Sequence, residues 1–260
     1  MTDVVGERRG AALWLTINRP EQRNALTVNV LGQLGAALRA ASADAGLRAI
    51  VLTGAGEKAF CSGGDLKSGA AKGGAFNAEA ASLENPLLRF YEEVERCDLP
   101  LVARVNGHAM GGGLGLLACC DLAVAADDAL LATPEVKVGL FPMVIGTYLL
   151  RLVPRRKLMA MCLLGDTISA RDAVEYGLLN MAVPRAALDD CVGRLIDTLC
   201  ARSPTAQRMG KHALRAVEDM TLQQSHEYMR LMIARLSLTE DAREGMAAFA
   251  EQRTPQWTGR

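Results

Sequence analysis

The chain has 260 residues, 50% of them hydrophobic, with 29 basic and 29 acidic side chains for a formal net charge of zero. That length supports one substantial core, or a core with a smaller appendage. Neutrality and an aromatic content of 4% argue against nucleic acid as a partner, because such surfaces need excess cations and stacking rings.

The first ten residues, Met-Thr-Asp-Val-Val-Gly-Glu-Arg-Arg-Gly, lack the apolar centre of a signal peptide. No apolar run is long enough to span a bilayer, so no membrane partner is expected. Seven cysteines without CxxC or Cys/His ligand spacing read as reduced thiols of a cytoplasmic protein, with no metal site. Adjacent Cys119 and Cys120 suit core packing.

In chain order, residues 11–17 form a short β-like run closed by Asn18-Arg19-Pro20. Leu and Ala at helical spacing predict a helix over 28–41. Residues 49–53 read as a buried strand ended by Gly54-Ala55-Gly56. A Gly/Ala/Ser-rich loop covers 68–81, and an amphipathic helix starting at a proline covers 86–97. Strands follow at 101–105 and 122–126, so strands alternate with helices as in a layered α/β core. After Pro184 only helical periodicity remains, over 187–201, 205–217, 222–236 and 241–252. The expected organisation is an α/β core over 1–200 and a helical C-terminal part over 201–260, packed on its own core or on a neighbouring subunit.

Three segments carry candidate chemistry. Ala59-Phe60-Cys61-Ser62-Gly63-Gly64-Asp65-Leu66 follows the 49–53 strand, and Gly111-Gly112-Gly113 follows the 101–105 strand. Backbone N–H groups from two such glycine loops can converge on one oxygen, and losing one donor of such a pair costs ~3–4 kcal/mol of transition-state stabilisation. Taken singly, either loop could also be a tight turn or a point of close packing. Neither has the Lys-Ser/Thr of a P-loop or a GxGxxG pattern. The third segment, Thr133-Pro134-Glu135-Val136-Lys137-Val138-Gly139-Leu140, holds one carboxylate among apolar residues. On a surface Glu135 would be a solvated side chain; in an apolar cleft, desolvation would raise its pKa and suit it to proton transfer.

In this order the three segments resemble the crotonase superfamily, the enoyl-CoA hydratase/isomerase family. The resemblance begins at Asn18-Arg19-Pro20 and Asn24-Ala25-Leu26, runs through 60–66, 106–121 and Pro134-Glu135, and ends at Asp241-Ala242-Arg243-Glu244-Gly245-Met246-Ala247-Ala248-Phe249. It implies an α/β spiral of ββα units with C-terminal helices that trimerise, two trimers often making a hexamer. It also implies an acyl-CoA thioester substrate and no separate cofactor, coenzyme A being part of the substrate. The thioester carbonyl would sit between the N–H groups of Gly64 and Gly112, and Glu135 would be the acid/base. Arg23, Ala25, Ser62, Asp65, Leu66, Lys67, Gly111 and Met143 fall on or beside the matching segments and are the substrate-binding candidates, Arg23 and Lys67 for the CoA phosphates.

Two positions depart from the family pattern. Hydratases of the family usually carry a first glutamate two residues after the triplet; here that position is Gly115. Family hydratases also often have glycine directly after the proline of the segment Phe141-Pro142-Met143-Val144-Ile145-Gly146, near the catalytic water, where this chain has the bulky Met143. His108, Asp121, Asp65 and Tyr148 are the other residues in reach of these segments, each with a structural reading: Asp65 would hold its turn through backbone hydrogen bonds, Asp121 would cap or pair, and Tyr148 would pack in the core. The expected function is hydration of a 2-enoyl-CoA through an oxyanion-stabilised enolate. Double-bond isomerisation by a single glutamate is the alternative, and an acyl-CoA-binding protein without turnover is the second. An RNA-binding role is disfavoured by neutrality and by only six lysines.

Overall fold

The computed structural model describes residues 2–65 and 84–260. Leu66, Lys67 and the 68–81 segment lie outside the described residues. The larger of two sheets has the order β1-β2-β3-β5-β7-β10. β1 (Val4–Arg9) pairs antiparallel with β2 (Ala12–Ile17), and β3 (Ala49–Gly54), β5 (Leu101–Val105), β7 (Leu122–Ala126) and β10 (Met181–Val183) follow in parallel. Side chains alternate between faces along each strand. Leu15, Ile17, Ile50 and Leu52 enter the main hydrophobic core, while Trp14, Val51, Val102 and Val124 enter a second one on the opposite face. Burial on both faces explains why β3 reads as an unbroken apolar run.

Ten α-helices are present among the described residues: α1 (Val28–Ala43), α2 (Pro86–Arg96), α3 (Gly112–Ala118), α4 (Gly146–Leu152), α5 (Arg155–Leu164), α6 (Ala170–Glu175), α7 (Leu188–Cys200), α8 (Pro204–Val217), α9 (Leu222–Ser237) and α10 (Glu240–Ala250). α2 shows how local sequence sets an element that matters below. Asn85 caps it, its side chain accepting from Leu87 N and Leu88 N, and Pro86 opens the first turn where a missing N–H costs nothing. Its buried face is Leu87, Phe90, Tyr91 and Val94, the spacing of one helical stripe.

The smaller sheet is built from very short strands in the order β4-β6-β8-β9: β4 (Ala59–Cys61), β6 (His108–Met110), β8 (Leu130–Ala132) and β9 (Ile168–Ser169). The first three run parallel. None of these four strands is anticipated by periodicity, since two or three residues carry no period.

The C-terminal helices begin by docking on this chain's own core. On α8, Lys211 Nζ donates to Leu99 O and Asp121 Oδ2, both at 2.6 Å, and Arg215 donates to Val94 O at 3.0 Å. Asp121 is therefore an anchor for α8, in keeping with its structural reading. Asp241, 1% exposed, gathers Ser203 Oγ, Thr258 N and Gly259 N at 2.8, 2.8 and 3.0 Å. This clasps the start of α8, the start of α10 and the chain end together. α9 has no buried residue, and it exposes Leu222, Leu231 and Ile233. Among the described residues no helix is long and apolar enough to cross a membrane.

Candidate active site

Three parallel strands of the small sheet end side by side, and each delivers one of the three candidate segments. β4 leads into Ser62-Gly63-Gly64, β6 into the glycine triplet and β8 into Thr133-Pro134-Glu135. Crevices at the carboxyl ends of parallel strands are the usual place for ligands in open α/β sheets. The sequence suggests that the glycines follow β3 and β5 directly. Instead β4 and β6 intervene, in a different sheet, and their pairing (Ala59 with His108, Cys61 with Ala109) brings the two glycine loops together.

The two loops touch. A Cβ placed on Gly63 would lie 3.3 Å from Gly112 N, and one on Gly112 would lie 3.8 Å from Gly64 N. Gly64 forms a parallel bridge with Leu26, carried by its neighbours: Leu26 N–H donates to Gly63 O at 2.8 Å and Asp65 N–H to Leu26 O at 2.9 Å. The Gly64 N–H thus faces away from that bridge. Gly112 is the first residue of α3, so its N–H has no acceptor within the helix.

Glu135 is held against the second loop. Met110 pairs with Ala132, and Gly111 N–H donates to Ala132 O at 2.9 Å. A Cβ on Gly111 would lie 3.0 Å from Glu135 Oε1. Oε2 is buried and has no hydrogen-bond partner among the described residues. Burial raises the Glu135 pKa above the ordinary carboxylate value, only partly opposed by its own backbone amide. Leu140 N–H donates to Glu135 O at 3.0 Å and closes the short 3-10 turn Pro134–Val138.

Each bare position of the triplet region has its own cause. Gly111 has φ +52° and ψ −122°, a backbone that side chains disfavour. A Cβ on Gly113 would come closer than 3.0 Å to Cys61 O, so glycine lets α3 pack on β4. A Cβ on Gly115 would come closer than 3.0 Å to both the Tyr91 hydroxyl and Ile145 Cγ2. The place of the missing first glutamate is therefore filled, by a phenol and an aliphatic side chain.

Comparison with known proteins decides the family. Residues 7–260 match the enoyl-CoA hydratase/isomerase family. The chain belongs to that family. It is 34% identical to the 2,3-dehydroadipyl-CoA hydratase of Escherichia coli K12, with 100% of both chains covered. It is also 34% identical to the (E)-benzylidenesuccinyl-CoA hydratase of Thauera aromatica over 95% of each. A crystal structure of enoyl-CoA hydratase from Mycobacterium smegmatis superposes with a TM-score of 0.92 at 34% identity, covering 98% of each chain. The fold is the crotonase fold, and the protein is an acyl-CoA-processing enzyme of the family.

The remaining candidates separate into two groups. Arg23 and Ser62 line a cleft of about 530 Å³ together with Lys58, His108, Arg185 and two carboxylates, Glu57 and Asp128. Its wall includes Ser62 and Met110, the residues just before the two glycine turns. Ser62 N–H donates to Arg23 O at 3.0 Å. Arg23 and Asn24 both have positive φ, a strained pair held by the buried Asn24 amide, which donates to Ala55 O and Ala59 O at 3.0 and 2.8 Å. Ala25 is buried and its carbonyl accepts from Arg19 Nη1 at 2.6 Å.

The other candidates have structural partners. The Asp65 side chain pairs with Arg19 Nη2 at 3.1 Å, so an ion pair takes part in holding its turn. Met143 stands 72% exposed, and Ile145, two residues on, is the side chain packed at Gly115. His108 Nδ1 accepts from Leu130 N at 3.1 Å. Tyr148 packs half-buried against the main core, its ring edge-on to Tyr91 at 4.6 Å and its hydroxyl donating to Glu95. All seven cysteines are unpaired, five of them buried and two half-buried, and burial pushes the Cys61 thiol up to about 12, far from a nucleophile's range. A larger groove of about 890 Å³ lies between α2, α4 and α8 and contains neither Glu135 nor the glycines. Tyr91, which also lines that groove, has its hydroxyl set against Gly115: the helical pattern assigns it to a buried face, and only the fold brings the two together.

Proposed function

We propose that this protein adds water to the double bond of a 2-enoyl-CoA thioester, with Gly64 N–H and Gly112 N–H holding the thioester oxygen and Glu135 moving the proton. The observation that carries this reading is a buried carboxylate oxygen without a partner among the described residues, on a side chain set against Gly111 of the glycine loop whose amide would stabilise the enolate. Electrostatic preorganisation of this kind is commonly the largest single contribution to catalysis. The names of its relatives, hydratases of 2,3-dehydroadipyl-CoA and (E)-benzylidenesuccinyl-CoA, support the same reaction class. Arg23 and Lys58 in the 530 Å³ cleft suit the CoA phosphates, and Ser62 and Gly111 border the two loops. Ala25, Asp65, Leu66, Lys67 and Met143 stay substrate-side candidates. The chemistry asks for no cofactor beyond the CoA of the substrate.

Isomerisation is the second reading, favoured by one specific fact: Gly115 brings no second carboxylate, and a double-bond shift needs only one base. Incubation with straight and branched 2-enoyl-CoAs and 3-enoyl-CoAs, in ordinary and heavy water, followed by mass spectrometry, separates the two. A product heavier by one water establishes hydration. A moved double bond with no added water on any member of the panel establishes isomerase chemistry and ends the hydratase reading.

The apolar side chains exposed on α9 and α10, among them Leu231, Ile233 and Phe249, support self-association as a trimer or a dimer of trimers. Light scattering that gave a clean monomer would overturn this. Seven unpaired thiols suit a reducing compartment such as the cytoplasm.

A further inference from the structure

Two polar groups lie against the backbone at the N-terminal end of α3. Gly111, at its start, has Glu135 Oε1 against it, and Gly115, whose N–H donates to Gly111 O at 3.1 Å, has the Tyr91 hydroxyl against it. The two glycines are four residues apart and tied by that hydrogen bond. Glu135 Oε2 and Tyr91 Oη are both buried and both lack a partner among the described residues, and Tyr91 as a whole is 5% exposed. Buried groups without partners are rare in folded proteins and ask what pairs with them in use. The neighbouring Tyr148 sharpens the contrast, because its hydroxyl is satisfied by Glu95. The Tyr91 ring is held by Phe90, Tyr148 and the α2 stripe, so its hydroxyl is aimed rather than free to swing.

We propose that the Tyr91 hydroxyl holds the water that adds to the enoyl double bond, in the place where the family pattern has a carboxylate. This rests on the hydratase reading above. Glu135 takes one proton from that water as its oxygen forms the bond to Cβ. The π electrons move toward the thioester, whose oxygen carries the charge between Gly64 N–H and Gly112 N–H. The proton on Glu135 then passes to Cα, so the net change is one water added with nothing oxidised or reduced. Tyr91 keeps its proton throughout and donates to the water's second lone pair, which directs the first at Cβ. Burial, with Cys119, Tyr148 and Cys120 nearby, holds the phenol well above its usual range, as a lasting donor requires.

The test is Tyr91→Phe, which removes one unpartnered oxygen and keeps the packing. The probes are whichever 2-enoyl-CoA the unaltered protein hydrates best and the saturated acyl-CoA of the same chain. Hydration should fall roughly 100-fold in kcat, the scale of losing one positioned hydrogen bond, with KM changed by less than about threefold. Exchange of the α-proton of the saturated thioester in heavy water needs Glu135 and the two amides but no added water, and should stay within about threefold of the unaltered protein. Thermal stability should hold or rise. Undiminished hydration overturns the proposal, and so does a parallel fall in both activities, which would make Tyr91 a packing residue. Glu135→Gln distinguishes the underlying reading: if it retains α-proton exchange, the role of Glu135 fails whatever Tyr91→Phe does. An unaltered protein that hydrates no member of the panel removes both.

Discussion

Gly111 N–H donates to Ala132 O across 2.9 Å, and that bond sets the spacing between the glycine triplet and Glu135. It ties the end of β6 to the end of β8 just before each strand gives up its functional residue. Base and amide donor are thus registered through backbone, which tolerates less drift than two side chains on separate loops would.

Glu135→Gln should lower turnover by roughly 10³-fold while leaving acyl-CoA binding within a small factor. Its effect on stability should have the opposite sign. Burial raises the carboxyl pKa in the folded protein, so the stability linked to Glu135 is full below the unfolded value and lost as pH rises through the folded one. The amide escapes that loss. Melting curves should therefore show Glu135→Gln gaining on the unaltered protein at alkaline pH and matching it below the ordinary value of 4.5.

The same burial predicts the acid limb of the rate profile. Glu135 works as a base only when ionised, so kcat/KM for hydration should rise with pH along a limb that lies above 4.5, the ordinary glutamate value. Initial rates across an acidic buffer series give the position directly. A limb at or below that value would mean a carboxylate open to water.

Restoring the absent glutamate should fail. Gly115→Glu would drive its Cβ into the Tyr91 hydroxyl and Ile145, so a loss of about 3 kcal/mol is expected from overpacking, with no gain in hydration. Denaturant melts and the hydration assay together check this. A stable, faster variant would show that α2 and the Ile145 segment yield easily.

Asp241→Asn should loosen the C-terminal clasp. Burial raises the Asp241 pKa, but hydrogen bonds from Ser203, the Gly259 and Thr258 amides and Thr205 outweigh it and hold the carboxyl at about 2. A depressed carboxylate contributes stability above its ordinary value of 3.8 and loses it as pH falls toward about 2. The variant should cost about 2–3 kcal/mol at neutral pH, a difference that shrinks through that acidic window. Denaturant titration at several pH values tests both parts.

What was legible in the chain followed the length of each pattern. The runs at 49–53, 101–105 and 122–126 and the helices from 28 onward declare themselves through burial and period, and the structure has them as β3, β5, β7 and α1. β1 gives no strand signal because Val4–Arg9, Val-Val-Gly-Glu-Arg-Arg, has no apolar–polar alternation and lies almost wholly exposed. β4, β6 and β8 are three residues each, too short for any period, yet they are what gathers the site. The glycines and Glu135 show in the sequence through their chemistry, which short motifs do record. Tyr91 does not, because its contact is with Gly115, 24 positions along the chain, and local sequence holds no trace of it. The 241–249 motif, read as a family signature, is largely a clasp: Asp241 binds the tail, and the Trp257 ring sits over Gly245, where a Cβ would lie 3.2 Å away.

Seven cysteines, five buried and two half-buried, make this protein a convenient host for site-selective labelling. Thiolate is the species that maleimides capture, and Cys61, Cys120, Cys162 and Cys200 are all held above the ordinary thiol range. A single new cysteine at exposed Gln223, on the unburied α9, would be far more open to reagent than the five buried native thiols. A donor and an acceptor dye placed there on separate copies would report subunit encounter by energy transfer, without removing any native thiol.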